Sequence, residues 1–135
     1  MKIGIGTAQF GMDYGISNPE GKTPEPEVRR ILQTAAARGI RLIDTAALYL
    51  DSERVLGDAL PPDHVFDIVT KTPRFSKKRI TREDLALIDE AFLRSLESLK
   101  CSSVYGLLLH DAADPLAENG HLLVERMLEF RDRGL

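Results

Sequence analysis

Hydrophobic positions along the chain follow two spacings in turn. Short apolar runs of strand length occupy residues 2–7, 41–44, 66–71 and 104–110. Between them lie longer stretches in which apolar side chains recur every three or four positions, the spacing of one helix face. Val28, Ile31, Leu32 and Ala35 form the first such stripe, and Val55, Leu56 and Ala59 the second. Leu85, Ile88, Phe92, Leu96 and Leu99 form the longest, and Leu123, Val124, Met127 and Leu128 the last. The pattern predicts four strand–helix units.

Helix boundaries carry their own signals. Pro24 sits where a helix begins, with Thr23 available to cap it and Glu25 and Glu27 in the dipole-favoured first turn. Gly39 can end that helix. Asp51 or Ser52 can cap the second, which Pro61 and Pro62 close. Thr81-Arg82-Glu83-Asp84 reads as a capping box with Asp in place of Glu. Gly134 ends the fourth helix. Residues 9–23, 72–80 and 111–120 read as loops, the middle one basic. The run 104–110 is nearly all apolar, as in strands buried on both faces.

Strand–helix alternation implies parallel strands joined by right-handed crossovers, so all four carboxyl ends lie on one side. Asp44, Lys71 and His110 each end a strand, and Tyr49 lies in the loop just beyond one, so the four share a rim. Ligands bind at that side both in (β/α)8 barrels and in doubly wound sheets. A dinucleotide fingerprint G-x-G-x-x-G starting at Gly4 and Gly6 would need a third glycine where Gln9 stands, which favours the barrel class. From residue types alone, Asp44 and Lys71 read more readily as a structural ion pair and His110 as a satisfied core histidine, and Tyr49 can be a loop anchor.

Composition narrows the field. The chain has 135 residues, 43% of them hydrophobic, enough for one ordinary domain with a core, and no internal boundary or repeat is visible. A net charge of −3 and a pI near 5.6 give no electrostatic reason to bind nucleic acid or an anionic membrane. Lys77, Lys78 and Arg79, with Arg74 and Arg82 nearby, form a solvated basic face or attract an anionic substrate. The single cysteine, Cys101, forms no internal disulfide and suits a reducing compartment. No apolar run approaches the ~20 residues of a membrane span, and the amino terminus lacks a signal-peptide pattern. The expected location is the cytoplasm.

The stretch Asp44-Thr45-Ala46-Ala47-Leu48-Tyr49-Leu50-Asp51-Ser52-Glu53 resembles the aldo-keto reductase pattern D-T-A-x-x-Y-G-x-S-E. Gly4-Ile5-Gly6-Thr7, Thr70-Lys71 and Leu107-Leu108-Leu109-His110 continue the resemblance in register. It implies a (β/α)8 TIM-type barrel, of which this chain supplies the first four units. It also implies a catalytic tetrad of Asp44, Tyr49, Lys71 and His110. The activity implied is reduction of an aldehyde, ketone or sugar carbonyl by hydride from NADPH, or NAD, with no metal.

That chemistry fits the residue types. Hydride transfer to a carbonyl builds negative charge on oxygen and calls for a proton donor, here Tyr49. An unperturbed phenol has a pKa near ~10, and a cation such as Lys71 favours its ionised form. Asp44 would hold Lys71, and His110 would orient the carbonyl oxygen. Gly6, Thr7 and Ala8, with Asp44, match the segment beside the nicotinamide. Leu50 departs from the pattern, standing where the family has glycine. If that glycine supplies a positive φ, Leu50 would disturb Tyr49.

A complete barrel of this class needs about 250 residues. The expectation is therefore either a piece of a longer reductase or a half-barrel that pairs with another copy, and the sequence leaves the two open. A non-catalytic binding or assembly module that inherited the tetrad is the alternative to an enzyme. In either case the inward face, with residues from Ile3, Leu42, Ile68 and Leu108 or their alternate neighbours, would have nothing to pack on.

Overall fold

The computed structural model describes residues 3–135. Four parallel strands, β1 (Gly4–Gly6), β2 (Leu42–Asp44), β3 (Asp67–Lys71) and β4 (Gly106–Leu108), form one sheet in the order 1-2-3-4. The helices are α1 (Ala8–Gly11), α2 (Glu25–Ala37), α3 (Ser52–Ala59), α4 (Arg82–Leu99) and α5 (His121–Asp132), with a 3-10 turn at Asp114–Leu116. This is the parallel sheet and alternating helices of half a (β/α)8 barrel. The expected strand at 2–7 is shorter, and Lys2 lies outside the described residues. The expected loop 9–23 opens instead with α1, which buries Phe10 in the core.

Periodicity located the long helices because each buries its stripe. In α2, Val28, Leu32 and Ala35 are buried, and side chains of Val and Leu size each contribute about 1.5–3 kcal/mol when fully buried. Pro24, rather than Thr23, occupies the cap position, and Pro26 sits in the first turn, where no backbone N–H is missed. The helix ends in a Schellman arrangement: Gly39 has φ of 70°, its N–H donates to Ala36, and that of Ile40 donates to Ala35. At the start of α4 the buried Asp84 carboxylate accepts the N–H of Thr81 at 3.0 Å and the Lys77 ammonium. Burial alone would raise the Asp84 pKa, but Lys77 and the Thr81 bonds bring it below the usual carboxylate range. Helices α3 and α4 approach closely at Gly57, where a Cβ would overlap the Ser98 carbonyl oxygen.

Register decides which strand residues meet the helices. Ile5, Ile43 and Ile68 are aligned across β1, β2 and β3 and pack into one apolar cluster with α2 and α3. A second cluster joins Ile88, Phe92 and Leu96 of α4 to Leu123 and Phe130 of α5. Side chains alternate along a strand, so Leu42, Asp44, Val69, Lys71, Gly106 and Leu108 occupy the opposite, inward face. Ile68 therefore belongs to the helix-covered face, and of the two alternatives its neighbour Val69 takes the inward position. The expectation that the fourth strand is buried on both sides also fails. Leu108 is 49% exposed and Leu42 41%, because no second layer covers the inward face.

Candidate active site

The parallel sheet brings the four rim residues to one side. Asp44 ends β2 and Lys71 ends β3, two neighbouring strands. Lys71 Nζ donates to both Asp44 carboxylate oxygens at 2.8 Å and to the Thr45 carbonyl oxygen at 2.9 Å. The ammonium thus has three oxygen acceptors and little freedom. The lysine side chain is 15% exposed, whereas that of Asp44 is 44% exposed, so the pair is only partly withdrawn from water.

Tyr49 reaches the same place from the loop between β2 and α3. Lys71 Nζ stands 5.0 Å from the centroid of its ring, within cation–π range. Backbone bonds from Tyr49 N–H to Ala46 and from Ser52 N–H to Tyr49 define the loop. Leu50, at the position where the family pattern has glycine, adopts a φ of 51° and leaves its side chain 72% exposed. The left-handed conformation is kept although the residue is unsuited to it, at roughly 1–2 kcal/mol. Gly11 packs against this loop from α1, and a Cβ there would overlap the Tyr49 carbonyl oxygen and the Ser52 nitrogen.

His110, two residues beyond β4, meets Tyr49 edge to face, with ring centroids 6.3 Å apart at 73°. Its backbone N–H donates to the Thr72 hydroxyl at 3.2 Å. Burial, reinforced by the Arg74 and Lys71 cations, lowers its pKa, so the imidazole is neutral at neutral pH. Nδ1 is buried without a hydrogen-bond partner among the described residues.

Gly6 lies on the inward face opposite Asp44, and nothing stands within 4 Å of where its Cβ would be. That open ledge beside Asp44 fits a flat ring laid against the sheet. Thr7 is turned away: fully buried, it donates its N–H and hydroxyl to the Asp44 carbonyl oxygen at 3.0 and 3.1 Å. Its carbonyl oxygen is also engaged, accepting the Phe10 N–H and the Ser52 hydroxyl, so Thr7 supports the ledge from beneath and does not line it. In the basic loop, Arg74 pairs with Asp111, Lys77 with Asp84 and Arg79 with Glu118. Among the described residues no group of three His, Cys, Asp or Glu is placed to hold a metal ion.

Sequence reasoning missed the layer beneath the rim. Ser52 and Glu53, read as a helix start, are buried there against Thr7, Thr45 and Thr70. The available signal was a threonine within one residue of the end of each of the first three strands: Thr7, Thr45 and Thr70. Glu53, with no ion-pair partner among the described residues, has its pKa raised by burial, against the opposing bonds from Thr70 and Ser95.

Comparison with known proteins agrees with this architecture. The model of the Aldo/keto reductase family matches residues 2–130. No curated protein matches the chain. Among solved structures, PA4992 of Pseudomonas aeruginosa, assigned to the aldo-keto reductases, is 27% identical with a TM-score of 0.78 over 98% of this chain and 51% of its own. A second aldo-keto reductase structure from that organism is 26% identical, with a TM-score of 0.68 over 91% of this chain and 49% of its own. A mutant of Gox0644 in complex with NADPH shares the fold at 21% identity and a TM-score of 0.53, over 81% of this chain and 33% of its own. The chain thus spans about half the length of the first two structures. The matched family model and the shared half-barrel together mean that this chain belongs to the aldo/keto reductase family.

Proposed function

We propose that the chain carries the proton-handling half of a nicotinamide-dependent carbonyl reductase, with Tyr49 as general acid. The observation that carries this reading is the juxtaposition of the Asp44–Lys71 ion pair, the Tyr49 ring 5.0 Å from the ammonium, and the His110 ring 6.3 Å from that of Tyr49. Gly6, Ala8 and Asp44 would hold the nicotinamide end of NADPH, or of NAD, with the buried Thr7 fixing Asp44 from beneath; the NADPH-bound state of the Gox0644 mutant supports a nicotinamide cofactor. When bound, that group supplies the hydride.

The residues supply the rest. An aldehyde, ketone or sugar carbonyl gains negative charge on oxygen as its carbon is reduced, and Tyr49 passes its phenolic proton to that oxygen. The Lys71 ammonium stabilises the phenolate left behind, and Asp44 keeps the ammonium in place. With no partner for Nδ1 among the described residues, neutral His110 carries its proton on Nε2 and can donate it as a hydrogen bond to the same oxygen. Proton exchange with water restores the phenol.

A second reading is favoured by the uncovered inward face, where Leu42 and Leu108 stand exposed: a half-barrel that binds and assembles without catalysis. Titration of the chain with NADPH, followed by nicotinamide fluorescence, separates the two. Micromolar binding supports the reductase, and no binding at millimolar cofactor supports the assembly module. In an enzyme with both halves, Tyr49→Phe should lower turnover about 10²–10⁴-fold and leave cofactor affinity nearly intact. Full turnover in that variant defeats the assignment.

A further inference from the structure

We infer that Ser52 and Glu53 are the positioning residues of the rim, joining the strand ends that bear Asp44 and Lys71 to the loop that bears Tyr49. The inference rests on the proposed role of Tyr49. It starts from a misfit: a serine at a helix start ordinarily caps it, but the cap position of α3 is Asp51, and the Ser52 side chain turns into the sheet. Ser52 Oγ lies 2.8 Å from both the carbonyl oxygen and the hydroxyl of Thr7, and 3.2 Å from the Thr45 hydroxyl. Thr7 in turn holds the Asp44 carbonyl by two bonds, and the Thr45 carbonyl accepts Lys71. The Ser52 N–H donates to the Tyr49 carbonyl at 3.1 Å.

Glu53 completes the set from the other side. Its carboxyl accepts the hydroxyl of Thr70, the residue before Lys71. The dipeptide therefore contacts the segment of every rim residue except His110. Almost no water reaches this layer: Ser52 and the three threonines are 0% exposed and Glu53 is 5% exposed. Burying hydroxyls and an acid with no cation beside it is unfavourable compared with alanine and valine of similar shape. What the polar layer adds is directional bonding, which fixes a single arrangement of the strand ends and loop.

The test follows Tyr49 without requiring catalysis. The chain has three tyrosines and no tryptophan, so a Tyr14→Phe, Tyr105→Phe background leaves Tyr49 as the sole reporter. In that background Ser52→Ala and the shape-preserving Thr45→Val should raise acrylamide quenching of Tyr49 severalfold and lower its anisotropy, at temperatures where circular dichroism shows the native fold. Glu53→Leu should do the same. Glu53→Gln, which can still accept from Thr70, should restore the parent values. If Ser52→Ala fails to fold, Thr45→Val decides the matter. A lowered melting temperature with unchanged quenching and anisotropy would mean a merely structural layer and overturn the inference. Failure of the Tyr49→Phe activity test, with these quenching changes present, would instead remove the catalytic reading alone.

Discussion

Leu50 shows how far a single residue can depart from its preferred conformation when its neighbours require it. Its φ of 51° is imposed by the turn between Tyr49 and α3, and its exposed side chain recovers little by burial. Leu50→Gly should therefore stabilise the fold. Relief of roughly 1–2 kcal/mol of left-handed strain exceeds the extra entropy of glycine in the unfolded chain, about 0.5–1 kcal/mol, for a net gain of about 0.5–1 kcal/mol. A rise in the denaturation midpoint checks it, and a fall would mean that Leu50 makes a contact worth more than its strain. Glu53 gives a pH-dependent expectation. Burial raises its folded pKa above the unfolded value, so the fold favours the neutral acid. Its contribution is fully present below the unfolded pKa and is lost as pH rises through the raised folded value. Relative to wild type, Glu53→Gln should therefore become steadily more stable across that window. Parallel pH–stability curves would show that Glu53 is not the titrating group.

At the scale of elements, two glycines make close approaches with different consequences. At Gly57 an added methyl would push α3 from α4, and at Gly11 it would push α1 and the Tyr49 loop apart. Each alanine variant should lose about 1–3 kcal/mol of stability. Only Gly11→Ala should also disturb cofactor-dependent turnover in an enzyme with both halves, and equal loss of specific activity in the two would contradict this difference. Helices α2 to α5 and the four strands were legible in sequence because each depends on local periodicity. The short helix α1 was not, since glycine and polar residues crowd its surroundings and Phe10 alone reports its burial. Asp44, Tyr49, Lys71 and His110 were readable as one rim because parallel topology fixes where strand ends go. The polar layer under them was not readable, because Ser52 meets Thr7 and Thr45 only after three separate segments have come together. Whether Ile68 or its neighbour Val69 faces inward stayed open in the sequence for a related reason: parity along a strand is fixed by register with its neighbours.

As a whole molecule, the chain exposes more surface than its mass accounts for. A compact 15.0 kDa monomer exposes roughly 7,000 Å², and this one exposes 8450 Å². Part of the excess is the inward face. More surrounds a cavity of about 400 Å³ against β4 and α5, lined by Leu107, Val124, Met127 and Phe130. Open ladders at β1 and β4 add unpaired backbone groups. The 135-residue chain by itself should therefore associate at low micromolar concentration, and sedimentation equilibrium should return at least a dimer. A compact monomer with one cooperative thermal transition would be incompatible with the uncovered face.

Because Asp44, Tyr49, Lys71 and His110 all lie at the strand ends of a single four-stranded sheet or in the loops that follow them, the segment after His110 is a natural crossover point for recombination between relatives. A chimera joined there would inherit the four rim residues proposed to handle the proton from one parent and the remaining walls of the barrel from another. Inherited activity and inherited selectivity should then segregate by parent across a panel of such hybrids.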